Sequence, residues 1–87
     1  LPHVGWNNVT QKVKSDLFKN IETDTDFYFL NSFAFNTKRN DDILAISTYE
    51  KKFISAIRKN NIFGLQFHPE KSQKAGRKLL SNFVEYY

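Results

Sequence analysis

Apolar and polar positions divide this chain into an alternating first part and a helically spaced last part. In DFYFLNSFAF the alternation sends Phe27, Phe29, Asn31, Phe33 and Phe35 to one side and Tyr28, Leu30, Ser32 and Ala34 to the other. Both sides are largely apolar, so the pattern predicts a strand over 27–35 that is buried on both faces. DILAISTYE is a second strand of the same kind, and the turn-rich NTKRNDD before it suits a hairpin-like return. Two further apolar runs, 53–58 and 62–68, flank Arg58 to Asn61, where asparagine tolerates a positive φ, and they are predicted to pair as a hairpin. A helix over 50–59 competes with this reading, because Phe53, Ile54 and Ile57 also sit at helical spacing.

Beyond Glu70 the period changes. Ala75, Leu79, Leu80, Phe83, Val84 and Tyr87 recur at helical spacing and predict one amphipathic helix, with Ser72 as its N-cap. Near the start, PHVGWNNV reads as an extended segment, and SDLFKNI as a short helical turn capped by Ser15 that packs Leu17, Phe18 and Ile21. The fold class is therefore α/β, strand-rich with one C-terminal helix. That leaves no helix for the second sheet face. Strands apolar on both sides belong to sheets covered on both sides, so residues 1–87 read as part of a larger α/β domain, with no internal domain boundary.

Composition narrows the chemistry. The 87 residues are 40% apolar and include nine phenylalanines, enough to argue for a packed core, although a domain of this size buries only about 60% of its unfolded surface. The net charge of +4 is spread diffusely, as a solvated surface would carry it, and lacks the clustered face expected of a nucleic-acid binder. There is no long apolar run and no signal-peptide pattern, so the sequence reads as cytosolic, with no membrane partner. The absence of cysteine excludes a disulfide framework, a thiolate zinc site and a thiol nucleophile from within these residues.

The chemistry-bearing string is QFHPEKS, at 66–72. Pro69 cannot donate to a strand ladder and biases His68 toward extended backbone, so the preceding strand stops there. A histidine at the carboxyl end of a strand stands where α/β sheets bind ligands. Glu70, two positions on, can curl back to one ring nitrogen, fix the tautomer and leave the other nitrogen as a base. An ordinary surface ion pair is the competing reading of the same spacing. Ser72 and Ser32 lack the glycine-flanked elbow of a serine nucleophile, and no local spacing brings His3 to His68 and Glu70 as zinc ligands.

GLQFHPEKS resembles the His and Glu segment of the class I (triad) glutamine amidotransferases. LPHVGWN, FYFLNSF and GRKLLSNF add a resemblance, across the whole chain, to the C-terminal part of the glutaminase subunits of imidazole glycerol phosphate synthases, whose usual strings are PHxGWN, FYFVHSY and FHPEKS. The resemblance implies a Cys-His-Glu triad that releases ammonia from glutamine for histidine biosynthesis, without a cofactor or metal. His68 would be the base and Glu70 its orienting partner, with the cysteine and oxyanion hole in residues outside these 87, which alone are expected to be inactive. It also implies that the backbone at Asn31, Ser32 and Phe33 contacts glutamine. Trp6, Tyr28 and Lys71 would face a (β/α)8 cyclase partner.

Three positions depart from the family strings: Asn31 stands for His, Phe33 for Tyr, and Glu50 for a Gly after Tyr49, where a glycine-permitted backbone shape is expected to have changed. These departures keep open a paralogue that feeds ammonia to a sugar-modifying partner in surface-polysaccharide synthesis. The missing cysteine keeps open a non-catalytic fragment or binding module.

Overall fold

The computed structural model describes residues 3–31, 35–37 and 39–87. Alternation at the start of the chain produces β1 (His3–Gln11) and β2 (Thr25–Asn31), paired antiparallel with Trp6 opposite Tyr28 and His3 opposite Asn31. β3 (Ile43–Tyr49), β4 (Lys51–Lys59) and β5 (Ile62–Leu65) follow as an antiparallel meander. The hairpin reading of the 53–68 region therefore holds against the helical one, and Asn60 takes the positive φ of 58° that its turn requires.

The strand order is β2-β1-β3-β4-β5. β2 and β3 are not a hairpin, contrary to the sequence expectation, because β1 lies between them; Lys12 N–H donates to the Leu44 carbonyl as the seam between β1 and β3 forms. The sheet then curls back on itself. Past β5, Gln66 N–H donates to the Ser55 carbonyl, Phe67 bridges to Phe29, and His68 N–H donates to the Tyr28 carbonyl at 2.8 Å.

Inside the curl lie Val9, Phe27, Phe29, Ala45, Ala56 and Phe67, all buried, with His3 among them. A 3₁₀ turn at Asp16–Phe18, capped as predicted by Ser15 Oγ accepting from Leu17 N–H, adds Leu17 and Phe18 to the core. α1 (Gln73–Tyr86) closes over this turn.

Two expectations about burial are corrected. The strand predicted over 27–35 ends at Asn31, residues 32–34 lie outside the described residues, and Phe35 is not in a strand. Its second face is not buried either. Leu30 is 46% exposed, beside Val4 and Trp6, since no layer of the described residues covers that side. On α1 the buried positions are Gly76, Leu79 and Asn82, whereas Leu80, Phe83 and Val84 remain exposed. The helix is rotated because Asn82 donates both amide hydrogens inward, to the Leu17 and Lys19 carbonyls that the 3₁₀ turn leaves unpaired.

Glu50 takes the left-handed conformation, with φ at 68°, between Tyr49 and Lys51. This is a backbone shape that glycine permits at no steric cost.

Candidate active site

His68 sits where the extended chain beyond β5 meets β2, and Pro69 turns it into a 3₁₀ turn, Pro69–Lys71. Its backbone is fixed from both sides. The N–H donates to Tyr28, and the carbonyl accepts from Lys71 N–H and from Ser72 Oγ, at 3.0 and 2.6 Å. The same Ser72 oxygen accepts from Tyr28 N–H at 2.9 Å. Ser72 is 1% exposed, so one buried hydroxyl ties β2 to the turn that carries His68. It precedes α1 as predicted, but its side chain makes no capping bond there. A hydroxyl so engaged is no nucleophile.

Glu70 completes the turn's chemistry. His68 Nδ1 lies 2.8 Å from Glu70 Oε2, and because a carboxylate can only accept, Nδ1 carries the proton and donates it. Nε2 is thereby left as the basic nitrogen. The side chains are 36% and 59% exposed, so the pair opens to solvent and to any reactant arriving from outside. The hydrogen bond from His68, and secondarily one from its own backbone N–H, holds the Glu70 carboxyl below the usual carboxylate range. This arrangement can accept a proton at Nε2 and stabilise the imidazolium that results, which is the task of a general base.

The other predicted residues separate into three groups. Trp6 and Tyr28 meet edge to face on the outer side of β1 and β2, with ring centroids 5.6 Å apart; Trp6 is 47% exposed and is no core aromatic. Lys71 follows Glu70 in the 3₁₀ turn that is bonded to β2 through His68. Asn31 ends β2 opposite His3, while Ser32 and Phe33 lie outside the described residues. His3 points into the sheet interior, and no group of three metal-ligating side chains occurs among the described residues.

Ser72 as a clamp and Gly76 as its floor were not legible in advance. A Cβ built on Gly76 would lie 1.8 Å from the Pro69 carbonyl oxygen. Only the glycine that opens GRKLLSNF, a poor choice inside a helix, hinted at this approach.

A histidine just past the last strand, oriented by a carboxylate two residues on and held behind a serine-clamped turn, has the geometry of a general base with its orienting acid. The family model of class-I glutamine amidotransferases matches residues 1–86, and the chain belongs to that family. More narrowly, it is 50% identical over 84 residues to the imidazole glycerol phosphate synthase subunit HisH of Bdellovibrio bacteriovorus, covering 97% of this chain and 41% of that protein. It is 44% identical over 85 residues to subunit HisH 2 of Pseudomonas aeruginosa, covering 98% of this chain and 42% of that one. With subunit HisH 1 of Vibrio vulnificus the identity is 47% over 85 residues, again 98% and 41%. The chain thus spans about two fifths of the length of these curated relatives.

Proposed function

We propose that these 87 residues are the C-terminal part of one amidotransferase domain. They supply the His and Glu of a Cys-His-Glu triad in the glutaminase subunit of an imidazole glycerol phosphate synthase. The observation that carries the reading is the 2.8 Å bond from His68 Nδ1 to Glu70 Oε2, at a strand end, in a chain so similar to HisH subunits. The names of these relatives do not favour the polysaccharide paralogue.

In this mechanism His68 Nε2 takes the proton of a cysteine thiol contributed from outside these residues. The thiolate attacks the side-chain amide carbon of glutamine, and the tetrahedral adduct breaks its C–N bond as His68 returns the proton to the departing nitrogen. Ammonia leaves and a glutamyl thioester remains. Water then attacks the thioester with His68 again as base; the C–S bond breaks, glutamate departs and the thiol is restored. Glu70 keeps Nδ1 protonated throughout, so Nε2 is always the working nitrogen. Backbone groups at Asn31, Ser32 and Phe33 would hold the glutamine. The outer face at Trp6 and Tyr28, with Lys71, would meet the (β/α)8 cyclase that receives the ammonia in the cytoplasm.

The test joins the part of the Bdellovibrio relative that precedes its matched segment to Leu1. The chimera should hydrolyse glutamine when a cyclase subunit is present, the 87 residues alone should not, and His68→Ala in the chimera should abolish turnover while the protein stays folded. Normal hydrolysis by the His68→Ala chimera would refute the assignment.

A further inference from the structure

His3, the histidine the dyad does not use, is 7% exposed inside the curled sheet, with the rings of Tyr49, Phe29 and Phe53 centred 4.3, 4.5 and 5.9 Å away. Its Nε2 lies 3.4 Å from Asn7 Nδ2, and its Nδ1 has no hydrogen-bond partner among the described residues. Which nitrogen carries the proton is decided by Asn7. That amide is engaged at both ends, Nδ2 donating to the Thr48 carbonyl at 2.8 Å and Oδ1 accepting from Asn8 N–H at 2.8 Å. Flipping it would set N–H against N–H and oxygen against oxygen. Asn7 therefore offers His3 a donor only, and Nε2 must accept. The buried imidazole is neutral, with its proton on Nδ1. A second proton on Nε2 would face the Asn7 amide hydrogens in an apolar interior.

We propose that the His3 and Asn7 pair is a proton-sensitive lock on the seam where β1 meets β2 and β3, closed when His3 is neutral and loosened when it is protonated. Among the described residues, the groups packed against the ring supply no counter-charge. β2 gives Phe29, β4 gives Phe53, and β3 gives Tyr49 and the Thr48 carbonyl. Lys51 pairs across from Tyr49 and is exposed, as is Glu50 at the turn, and among the described residues no carboxylate pairs with His3. Burial accordingly pushes the pKa of His3 below its ordinary value of 6.5. The unfolded chain then binds more protons than the folded one in the window below 6.5. Stability from this site is full above that value and is lost as pH falls from it toward the lowered folded value. The seam carries Trp6 on its outer side and Asn31 opposite His3. The lock itself does not depend on the glutaminase reading.

The experiment follows the ring protons of both histidines by NMR in the 87-residue chain, with denaturant midpoints measured between about pH 5.5 and 7.5. Expected is a His3 titration below that of an unperturbed histidine and a midpoint that falls on acidification. His3→Phe, which keeps a ring among the aromatics, should lose the His3 share of that fall. Asn7→Asp, which turns the facing donor into an acceptor, should move the His3 titration upward and weaken or reverse the fall. A His3 that titrates at or above the ordinary value in the folded wild-type chain, as cation-π attraction from the three rings would produce, overturns the proposal. So does a His3→Phe chain that keeps the whole acid-side fall. The wild-type titration decides the matter even if a variant does not fold.

Discussion

Gly76 of α1 lies directly under Pro69: a Cβ at this position would stand 1.8 Å from the proline carbonyl oxygen and 2.9 Å from Ser72 Cβ. The helix can approach the turn carrying His68 and Glu70 only because this residue has no side chain. Gly76→Ala should therefore destabilise the chain by on the order of 3 kcal/mol, despite alanine's better helix propensity, because backbone and not a yielding side chain must move. Equilibrium denaturation checks this, and a loss below about 0.5 kcal/mol would show that the approach is not tight.

Ser72→Ala removes the single hydroxyl that satisfies Tyr28 N–H and also donates to the His68 carbonyl. A buried backbone donor is left unpaired, so a loss of about 1–3 kcal/mol is expected. In the chimera, kcat should fall with it, since His68 loses one of its anchors. Unaltered stability together with unaltered turnover would remove Ser72 from any positioning role.

For Glu70, the lowered carboxyl pKa sets the sign. Its interaction with His68 stabilises the fold above the ordinary carboxylate range and is lost as pH falls through the depressed value. The carboxylate is 59% exposed, so solvent screens the pair and the stability effect is small. Catalysis is the sensitive readout. Glu70→Gln in the chimera should lower kcat by less than His68→Ala does, while KM for glutamine stays near the parent value. A loss as large as that of the histidine change would make the glutamate more than an orienting group.

Glu50 holds a left-handed backbone without being glycine. Such a conformation costs a non-glycine residue about 1–2 kcal/mol, and glycine's extra freedom in the unfolded chain takes part of any gain back. Glu50→Gly should raise stability by about 0.5 kcal/mol. A lower denaturant midpoint in this variant would indicate that the Glu50 side chain contributes contacts that outweigh the strain.

Apolar surface remains open on α1 and at the tip of the β4 and β5 hairpin, with Val84 82% and Ile62 75% exposed beside Leu80 and Phe83. The 87-residue chain should self-associate at raised concentration, and Val84→Lys with Leu80→Glu should suppress this. Sedimentation showing a compact wild-type monomer across the concentration range would contradict the prediction.

Local signals in the sequence were good guides where neighbours along the chain settle the outcome. The alternation at Phe27 and Phe29, the Ser15 cap, the turn at Asn60 and the His-Pro-Glu turn all depend on a few adjacent residues, and the structure carries each of them. Outcomes set by distant pairing were not legible. That β1 separates β2 from β3 cannot be read from the loop joining them. The rotation of α1 follows from Asn82 finding the carbonyls of Leu17 and Lys19 more than sixty residues away, a match that apolar periodicity does not contain. Ser72 looked like a helix cap because serine before an apolar helix usually is one; its true partners belong to β2 and to the strand end.

The hydrogen bonds joining Tyr28 to His68 and Ser72 also impose an order in time. They span 44 residues at their widest, whereas β3 and β4 are joined through the single residue Glu50. Closing the long loop carries the larger entropic barrier. The local hairpins are therefore expected before the anchoring of the His68 turn on β2, so a partly folded molecule would be largely sheet with the site at His68 and Glu70 not yet fixed against it. During synthesis, too, that site waits until Ser72 and the helix behind it have been made.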